Sequence, residues 1–383
     1  MKLTGATNNR FCSLVDSVKS IASLLPLKVV VVSALLIGSV GSMAMDTIVL
    51  TAPSYAKTAP LTKVRQAKKR IIAKKPVNAQ SEVKFKDAKL EAVIRERLGI
   101  PNDQRLTLKV LQGIKVLYTS NASISSLEGI QALRNLTTLD LSGNPISDLK
   151  PLRGLTNLRD LTLNSNHISD VQPLKGLTNL RRLSLYQNNI SDVQPLAGLT
   201  NLTTLTLEYN LKISDVQPLR GLTNLTTLYL GSNKISDVQP LRGLTKLTTL
   251  GLGGNKISDV KSLAGLANLS ILSLAYNQII DVKPLASLTK LTYLTLEYNL
   301  KISDVQPLAG LRYLTDLGLK YNQISDVKPL ASLTQLTTLN LYSNKISDVQ
   351  PLAGLANLTT LELSKNPINN CQLLPERLHY ACQ

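Results

Sequence analysis

Residues 136–155 read LTTLDLSGNPISDLKPLRGL, and the same pattern returns ten more times along the chain. The copies start 22 residues apart, except that those starting at Leu202 and Leu291 are 23 residues long. A fixed period in this range, held in one register, indicates a solenoid in which each repeat packs only on its two neighbours.

The first half of the repeat predicts a strand followed by a turn. Leu139 and Leu141 are two residues apart, so on a strand they face the core together, while residues 138, 140 and 142 face solvent. Asn144 falls where the strand must turn, and a buried amide there can satisfy backbone groups that the turn leaves unpaired. Each copy therefore adds one short strand to a parallel sheet.

The second half predicts a short 3₁₀ or helical turn. Asp148 stands where an N-cap residue belongs, Pro151 falls in the first turn, where its missing N–H costs nothing, and Gly154 ends the turn. The aspartate recurs in ten copies, and capping explains this column better than a cation site does. The column comprises Asp148, Asp170, Asp192, Asp215, Asp237, Asp259, Asp281, Asp304, Asp326 and Asp348.

These features predict an α/β repeat fold, namely a leucine-rich-repeat solenoid with a curved parallel sheet on its concave face and short 3₁₀ or helical turns on its convex face. Apolar residues at helical spacing from Phe85 to Leu98 predict a helical N-terminal cap over residues 82–113. We expect one degenerate copy and eleven regular copies over residues 114–370, and a C-terminal cap over residues 371–383.

Residues 1–45 have the pattern of a targeting segment. Basic residues precede an uncharged apolar run at residues 29–40, and the small-x-small sequence Ser42-Met43-Ala44 follows it. A cleaved signal peptide is the favoured interpretation. A retained membrane anchor is the alternative, because the 17 uncharged residues 29–45 are at the short end for a span of about 20.

The net charge of +18 is concentrated ahead of the repeats, since residues 1–110 carry +12 of it. Residues 46–81 combine these charges with prolines and no hydrophobic period, which predicts a disordered basic linker. The stretch from Lys57 to Lys75 could lie on an anionic polymer or a membrane surface, or be a basic but otherwise inert spacer. No aromatic residue interleaves its charges, so no specific nucleic-acid binding is expected.

The sequence contains few residues or motifs that could support catalysis, cofactor binding or metal binding. Its two histidines, His167 and His379, are far apart in sequence and belong to different slices of the stack. It contains no Gly-rich phosphate loop, no nucleophile elbow and no Cys/His metal cluster. We therefore expect neither an enzyme nor a bound cofactor or metal.

Variable positions in a fixed frame are where binding specificity can lie. The outward strand positions of the eleven regular copies carry six acids, two bases and four tyrosines, and tyrosine is a favoured contact residue at protein interfaces. The candidate partner-binding residues are Arg182, Tyr186, Glu208, Tyr229, Tyr293, Glu297, Asp316, Lys320 and Tyr342. A further column, Tyr276, Tyr298 and Tyr321, is expected to stack on itself rather than to contact a ligand.

The motif Ile-Ser-Asp-Val/Leu-x-Pro-Leu-x-Gly-Leu resembles the 22-residue repeats of internalin-type bacterial proteins, and the segment from Phe85 to Arg95 resembles their helical cap. The resemblance implies an extracytoplasmic binding protein with no chemistry of its own. We expect it to be a monomer that binds a protein or peptide partner. No sortase signal and no immunoglobulin-like domain follow the repeats, so the resemblance does not extend to wall anchoring or invasion. Phosphatase-regulatory subunits have similar repeats, and an intracellular role of that kind is the remaining alternative.

The cysteine count fits export. If the N-terminal segment is removed, only Cys371 and Cys382 remain, both inside the last cap. We expect a disulfide between them, which stabilises a small cap in an oxidising compartment. Two free thiols are the alternative.

Overall fold

The computed structural model describes residues 80–382. The apolar run at residues 29–45 and the basic stretch 57–75 lie outside these residues. Twelve strands form one parallel sheet in which sequence order is spatial order, β1 to β12. They are Val116–Tyr118, Thr138–Asp140, Asp160–Thr162, Arg182–Ser184, Thr204–Thr206, Thr227–Tyr229, Thr249–Gly251, Ile271–Ser273, Tyr293–Thr295, Asp316–Gly318, Thr338–Asn340 and Thr360–Glu362.

A 3₁₀ helix follows the turn in each repeat and forms the convex side. Its Pro and Leu side chains complete the core slice, as with Pro151 and Leu152. These helices are Ile130–Ala132, Lys150–Leu152, Gln172–Leu174, Gln194–Gly198, Gln217–Gly221, Gln239–Gly243, Lys261–Leu263, Lys283–Ser287, Gln306–Gly310, Lys328–Ser332 and Gln350–Leu352. The predicted leucine-rich-repeat solenoid is confirmed.

The core is a stack of leucine columns joined by an asparagine ladder. Leu139 and Leu141 have no exposed surface, nor do most of their counterparts. The buried Asn144 amide donates to the carbonyl oxygens of Leu141 in its own repeat and Thr119 in the preceding one, at 2.9 Å each. Its Oδ1 accepts from the Ile124 N–H at 2.8 Å. The amide thus satisfies buried backbone groups of two repeats at once.

The two 23-residue copies interrupt this ladder. Their extra residues, Leu211 and Leu300, have positive φ and are 60% and 57% exposed. In the following repeats, the buried Oδ1 atoms of Asn233 and Asn322 have no hydrogen-bond partner, whereas equivalent asparagines accept from an isoleucine N–H. The extra residue in each longer copy moves the isoleucine N–H of that copy out of reach of the next asparagine. This shift explains why both oxygens lack a partner.

The aspartate column caps the 3₁₀ helices, one position earlier than the sequence indicated. All ten carboxylates accept a hydrogen bond from the N–H two residues later, as Asp148 does from Lys150 at 2.9 Å. The residue immediately before each helix is a valine or leucine such as Leu149, so the aspartate precedes the N-cap instead of occupying it. Among residues 80–382, no group of three or more acidic, His or Cys side chains could hold a metal ion.

The N-terminal cap contains helices α1, Ala88–Leu98, and α2, Leu108–Leu111. Asp87 caps α1 through the N–H groups of Lys89 and Leu90, and it also accepts bonds from the first repeat at Ser125 and Ser126. Burial raises the pKa of the Asp87 carboxyl, but these hydrogen bonds outweigh burial and leave the pKa below its usual value. One carboxylate therefore joins the cap to the solenoid.

The C-terminal cap covers the edge strand. The N–H of Leu361 on β12 donates to the Tyr380 hydroxyl, and the N–H of Leu363 donates to the carbonyl of Ala381. Cys371 and Cys382 form a disulfide across this cap. Covering an edge in this way prevents further strand addition. No helix within residues 80–382 is long and apolar enough to cross a membrane.

Candidate functional site

The strand alternation exposes three side chains per repeat on the concave face, the third lying two residues beyond the strand's last member. Arg182, Tyr293 and Asp316 hold the first of these positions, and Tyr229 holds the second. The other five candidates hold the third position: Tyr186, Glu208, Glu297, Lys320 and Tyr342. The structure gathers the nine residues into two groups, one around β4–β6 and one around β9–β11.

The first group centres on Glu208, a largely buried carboxylate that has no ion-pair partner among residues 80–382. Burial raises its pKa from 4.5 to about 7. The space around it exists because its neighbours lack side chains: a Cβ on Gly231 would lie 2.9 Å from Glu208 Oε1, and one on Gly251 would lie 3.5 Å from it. The cradle therefore holds a carboxylate that no cation among residues 80–382 neutralises.

Aromatic rings flank this carboxylate. Burial and the charge of Glu208 raise the pKa of Tyr229. Tyr186 makes an edge contact with Tyr209, with ring centroids 5.2 Å apart. Arg182 forms an ion pair with Asp160 at 2.7 Å, so its charge does not neutralise Glu208. Because Arg182 is well exposed, that pair contributes little to stability.

The second group contains the duplicate of Glu208. Glu297 occupies the same place in an identical sequence block, yet Lys320 Nζ lies 3.6 Å from its carboxylate. Burial raises the pKa of Glu297, and Lys320 opposes that rise. Burial, with Glu297 and Asp316 nearby, raises the pKa of Tyr293 to about 12. This carboxylate has a cation partner within the protein.

A tyrosine column borders the second group. The rings of Tyr276, Tyr298 and Tyr321 stack with centroids 4.2 Å apart, as expected, and Tyr342 meets Tyr321 edge-on at 5.2 Å. The first three residues have φ between 55° and 57°, a left-handed conformation that is uncommon for bulky side chains. Lys320 Nζ lies 5.5 Å from the Tyr298 ring centre, within the range of a cation–π contact.

Sequence reasoning missed several features of this surface. Tyr118 on β1 is 66% exposed on the same face, but the degenerate first copy hid its register. Tyr209 lies one position past the third outward slot, so alternation did not include it. Alternation also did not include Leu211 and Leu300, whose exposure follows from the extra residue in the two longer copies. That extra residue was the available signal.

The repeats match a family model described as "Leucine Rich repeats (2 copies)". The matched residues are 134–176, 178–221, 223–265, 267–310, 314–354 and 334–376. An internalin (InlF) from Listeria monocytogenes has 36% identity to this chain and a TM-score of 0.69, with 78% of this chain and 94% of that chain covered. The chain belongs to the internalin-type leucine-rich-repeat family.

Other solved structures agree with this assignment. Internalin C2 from Listeria monocytogenes has 40% identity and a TM-score of 0.55, covering 57% of this chain and 99% of that chain. A leucine-rich-repeat protein from Leptospira interrogans has 27% identity and a TM-score of 0.62, covering 71% and 76%. Among curated proteins, no sequence matches significantly. The internalin-type scaffold is typical of proteins that bind other proteins.

Proposed function

We propose that this internalin-type protein is an exported scaffold that binds a protein or peptide partner on the concave face of its sheet, without catalysis. The proposal rests on one observation: half-buried tyrosines and carboxylates cluster on this face, around Glu208 and around Glu297. Buried aromatic anchors with polar tips are what protein interfaces use for affinity.

The dimensions of the sheet support this role. Twelve strands at about 4.8 Å spacing give a face on the order of 55 Å long, enough for an interface of about 800 Å² per partner. The face also carries separate aromatic and charged patches, so one partner could be recognised at two places along the solenoid.

Export is supported by the signal-like segment at residues 1–45 and by the disulfide of the C-terminal cap. Disulfides persist in oxidising compartments and are rare in the cytosol. An extracytoplasmic location fits both features better than the phosphatase-regulator alternative does.

Site-specific cross-linking tests the proposed face. A photoreactive phenylalanine derivative would replace Tyr293 in the full chain, and Tyr313 in a matched control, because Tyr313 is 67% exposed but precedes β10 instead of lying on the concave face. We expect a defined partner to cross-link from position 293 and not from position 313.

Affinity measurements with the captured partner complete the test. Tyr293→Ala and Tyr229→Ala should each weaken binding by roughly 1–2 kcal/mol, about five- to thirtyfold, while Tyr313→Ala leaves it unchanged. Equal losses in all three variants, or none in the first two, would refute the concave face as the binding surface.

A further inference from the structure

A second surface runs along the edge of the sheet where the strands begin, and we name it the strand-start groove. It has a volume of about 760 Å³ and crosses the first seven repeats, from Lys115 ahead of β1 to Lys246 ahead of β7. Its lining is Lys115, Asn135, Thr137, Asn157, Arg159, Asn179, Arg181, Asn201, Thr203, Asn224, Thr226 and Lys246.

The groove carries four positive charges and no negative one. None of Lys115, Arg159 and Arg181 forms an ion pair or a side-chain hydrogen bond with any of residues 80–382, and Lys246 bonds only to the neutral Asn224 Oδ1, at 2.7 Å. The neighbouring Asp160 is neutralised by Arg182, which lies outside the groove. The positive potential along the groove is therefore not cancelled locally.

Three of the four charges, Lys115, Arg159 and Arg181, share one repeat position near the start of the solenoid. The position immediately before the strand is Lys115, Thr137, Arg159 and Arg181 in the first four repeats. From β5 to β12 the same position is Thr or Ser in every repeat. At the position immediately before the strand, positive charge is therefore confined to the first four repeats, a local feature distinct from the general basicity of the chain.

The asparagines of the groove are held in one orientation. The amide nitrogen of each donates to a backbone carbonyl of the preceding repeat, as Asn157 Nδ2 does to Arg134 at 2.9 Å and Asn179 Nδ2 does to Thr156 at 2.8 Å. The same bond is made by Asn135, Asn201 and Asn224. Four of the five Oδ1 atoms, all except that of Asn224, accept no hydrogen bond from residues 80–382. The groove thus offers a row of oriented acceptors between cations.

The geometry points to an anionic polysaccharide as the occupant: a chain of hydroxylated sugars whose carboxylate or sulfate groups meet Arg159, Arg181, Lys115 and Lys246 while its hydroxyls donate to the asparagine oxygens. The groove spans six strand spacings, about 29 Å, which suits an extended polymer. Its lining contains only Lys, Arg, Asn and Thr. It therefore lacks the apolar anchors of a protein interface and the aromatic rings that stack nucleic-acid bases.

Binding of two size-defined probes to the full chain tests this assignment: a sulfated heparin oligosaccharide and a carboxylated oligogalacturonate. Arg159→Gln/Arg181→Gln should weaken binding of at least one probe about tenfold and make its affinity less dependent on salt. The control, Arg153→Gln/Arg220→Gln, removes the same charge from exposed residues outside the groove and should bind normally. Residues 46–81 are unchanged in both, so any contribution from that basic stretch cancels.

Several results would overturn the assignment: equal losses in the groove and control variants, no binding of either probe, or tighter binding of poly-glutamate than of both saccharides. If the arginine pair reduces the melting temperature, Lys115→Gln/Lys246→Gln replaces it. Tyr293→Ala should leave saccharide binding intact, so failure here and failure of the concave-face proposal are separate outcomes.

Discussion

The unpaired carboxylate of Glu208 should make the stability of this protein depend on pH. Its pKa is about 7 in the folded protein and 4.5 ordinarily, a difference worth on the order of 3 kcal/mol. The raised value means that the folded state binds the proton more tightly than the unfolded state does. The stability from this proton is fully present below pH 4.5 and is lost as the pH rises through 7.

Replacing Glu208 with Gln removes that loss, because the amide is neutral at every pH. Chemical denaturation followed by circular dichroism, at intervals from pH 4.5 to 8.5, would measure the free energy of unfolding of both proteins. Subtracting one free energy of unfolding from the other removes the contributions of the titrating groups that the two proteins share. We expect the variant to match the native protein near pH 4.5 and to be more stable by about 2–3 kcal/mol at pH 8.

Glu297 supplies the matched control. Lys320 already neutralises it, so Glu297→Gln should gain less stability at pH 8 than Glu208→Gln does. Gly231→Lys should supply Glu208 with the missing cation and be more stable at pH 8 than Gly231→Ala, which adds bulk without charge. A stability difference for Glu208→Gln that stays constant across this pH range would refute the reasoning.

Two further predictions concern the frame of the solenoid. Asn255→Ala should lower the free energy of unfolding by about 3 kcal/mol, because it leaves the buried Ile235 N–H unpaired and removes one of the donors to the Leu230 and Leu252 carbonyls. Asn233→Ala should cost less, since Asn233 Oδ1 has no partner to lose. Denaturant titrations that rank the two variants in the opposite order would contradict the ladder. Cys382→Ala should remove about 3 kcal/mol by opening the loop of the C-terminal cap, and reductant should lower the melting temperature of the native protein but not of the variant.

The sequence was sufficient for the fold because each repeat has only one way to bury its leucines. Leu139 and Leu141 fix the strand, Asn144 fixes the turn, and the fixed period sets the register of every pair of strands. The predicted position of the aspartate cap, at the N-cap, was wrong by one residue. The helix starts at Lys150, so that Pro151 takes its second position, and the sequence offered no means of choosing between these two starts.

The binding surface could be predicted only as a set of positions. Alternation along the strands identified the outward residues, but it carries no information about which of them neutralise each other across repeats. Residues 207–219 and 296–308 are identical, yet Glu208 and Glu297 differ in environment because the next repeat supplies Gly231 to one and Lys320 to the other. Contacts between side chains of different repeats decide this, and they require coordinates.

The one-dimensional architecture has a consequence for how its surfaces act. Each repeat contacts only its neighbours, so a substitution perturbs one or two slices and leaves the rest of the core intact. Glu208 follows β5 and Tyr298 follows β9, so the two residues are four strand spacings apart, about 19 Å, which exceeds the range over which mutations usually couple. Losses of affinity from Glu208→Gln and Tyr298→Ala should therefore add for a partner that spans both groups. A partner held by one group alone should respond to only one of the two variants, so the pair of measurements locates the contact along the solenoid.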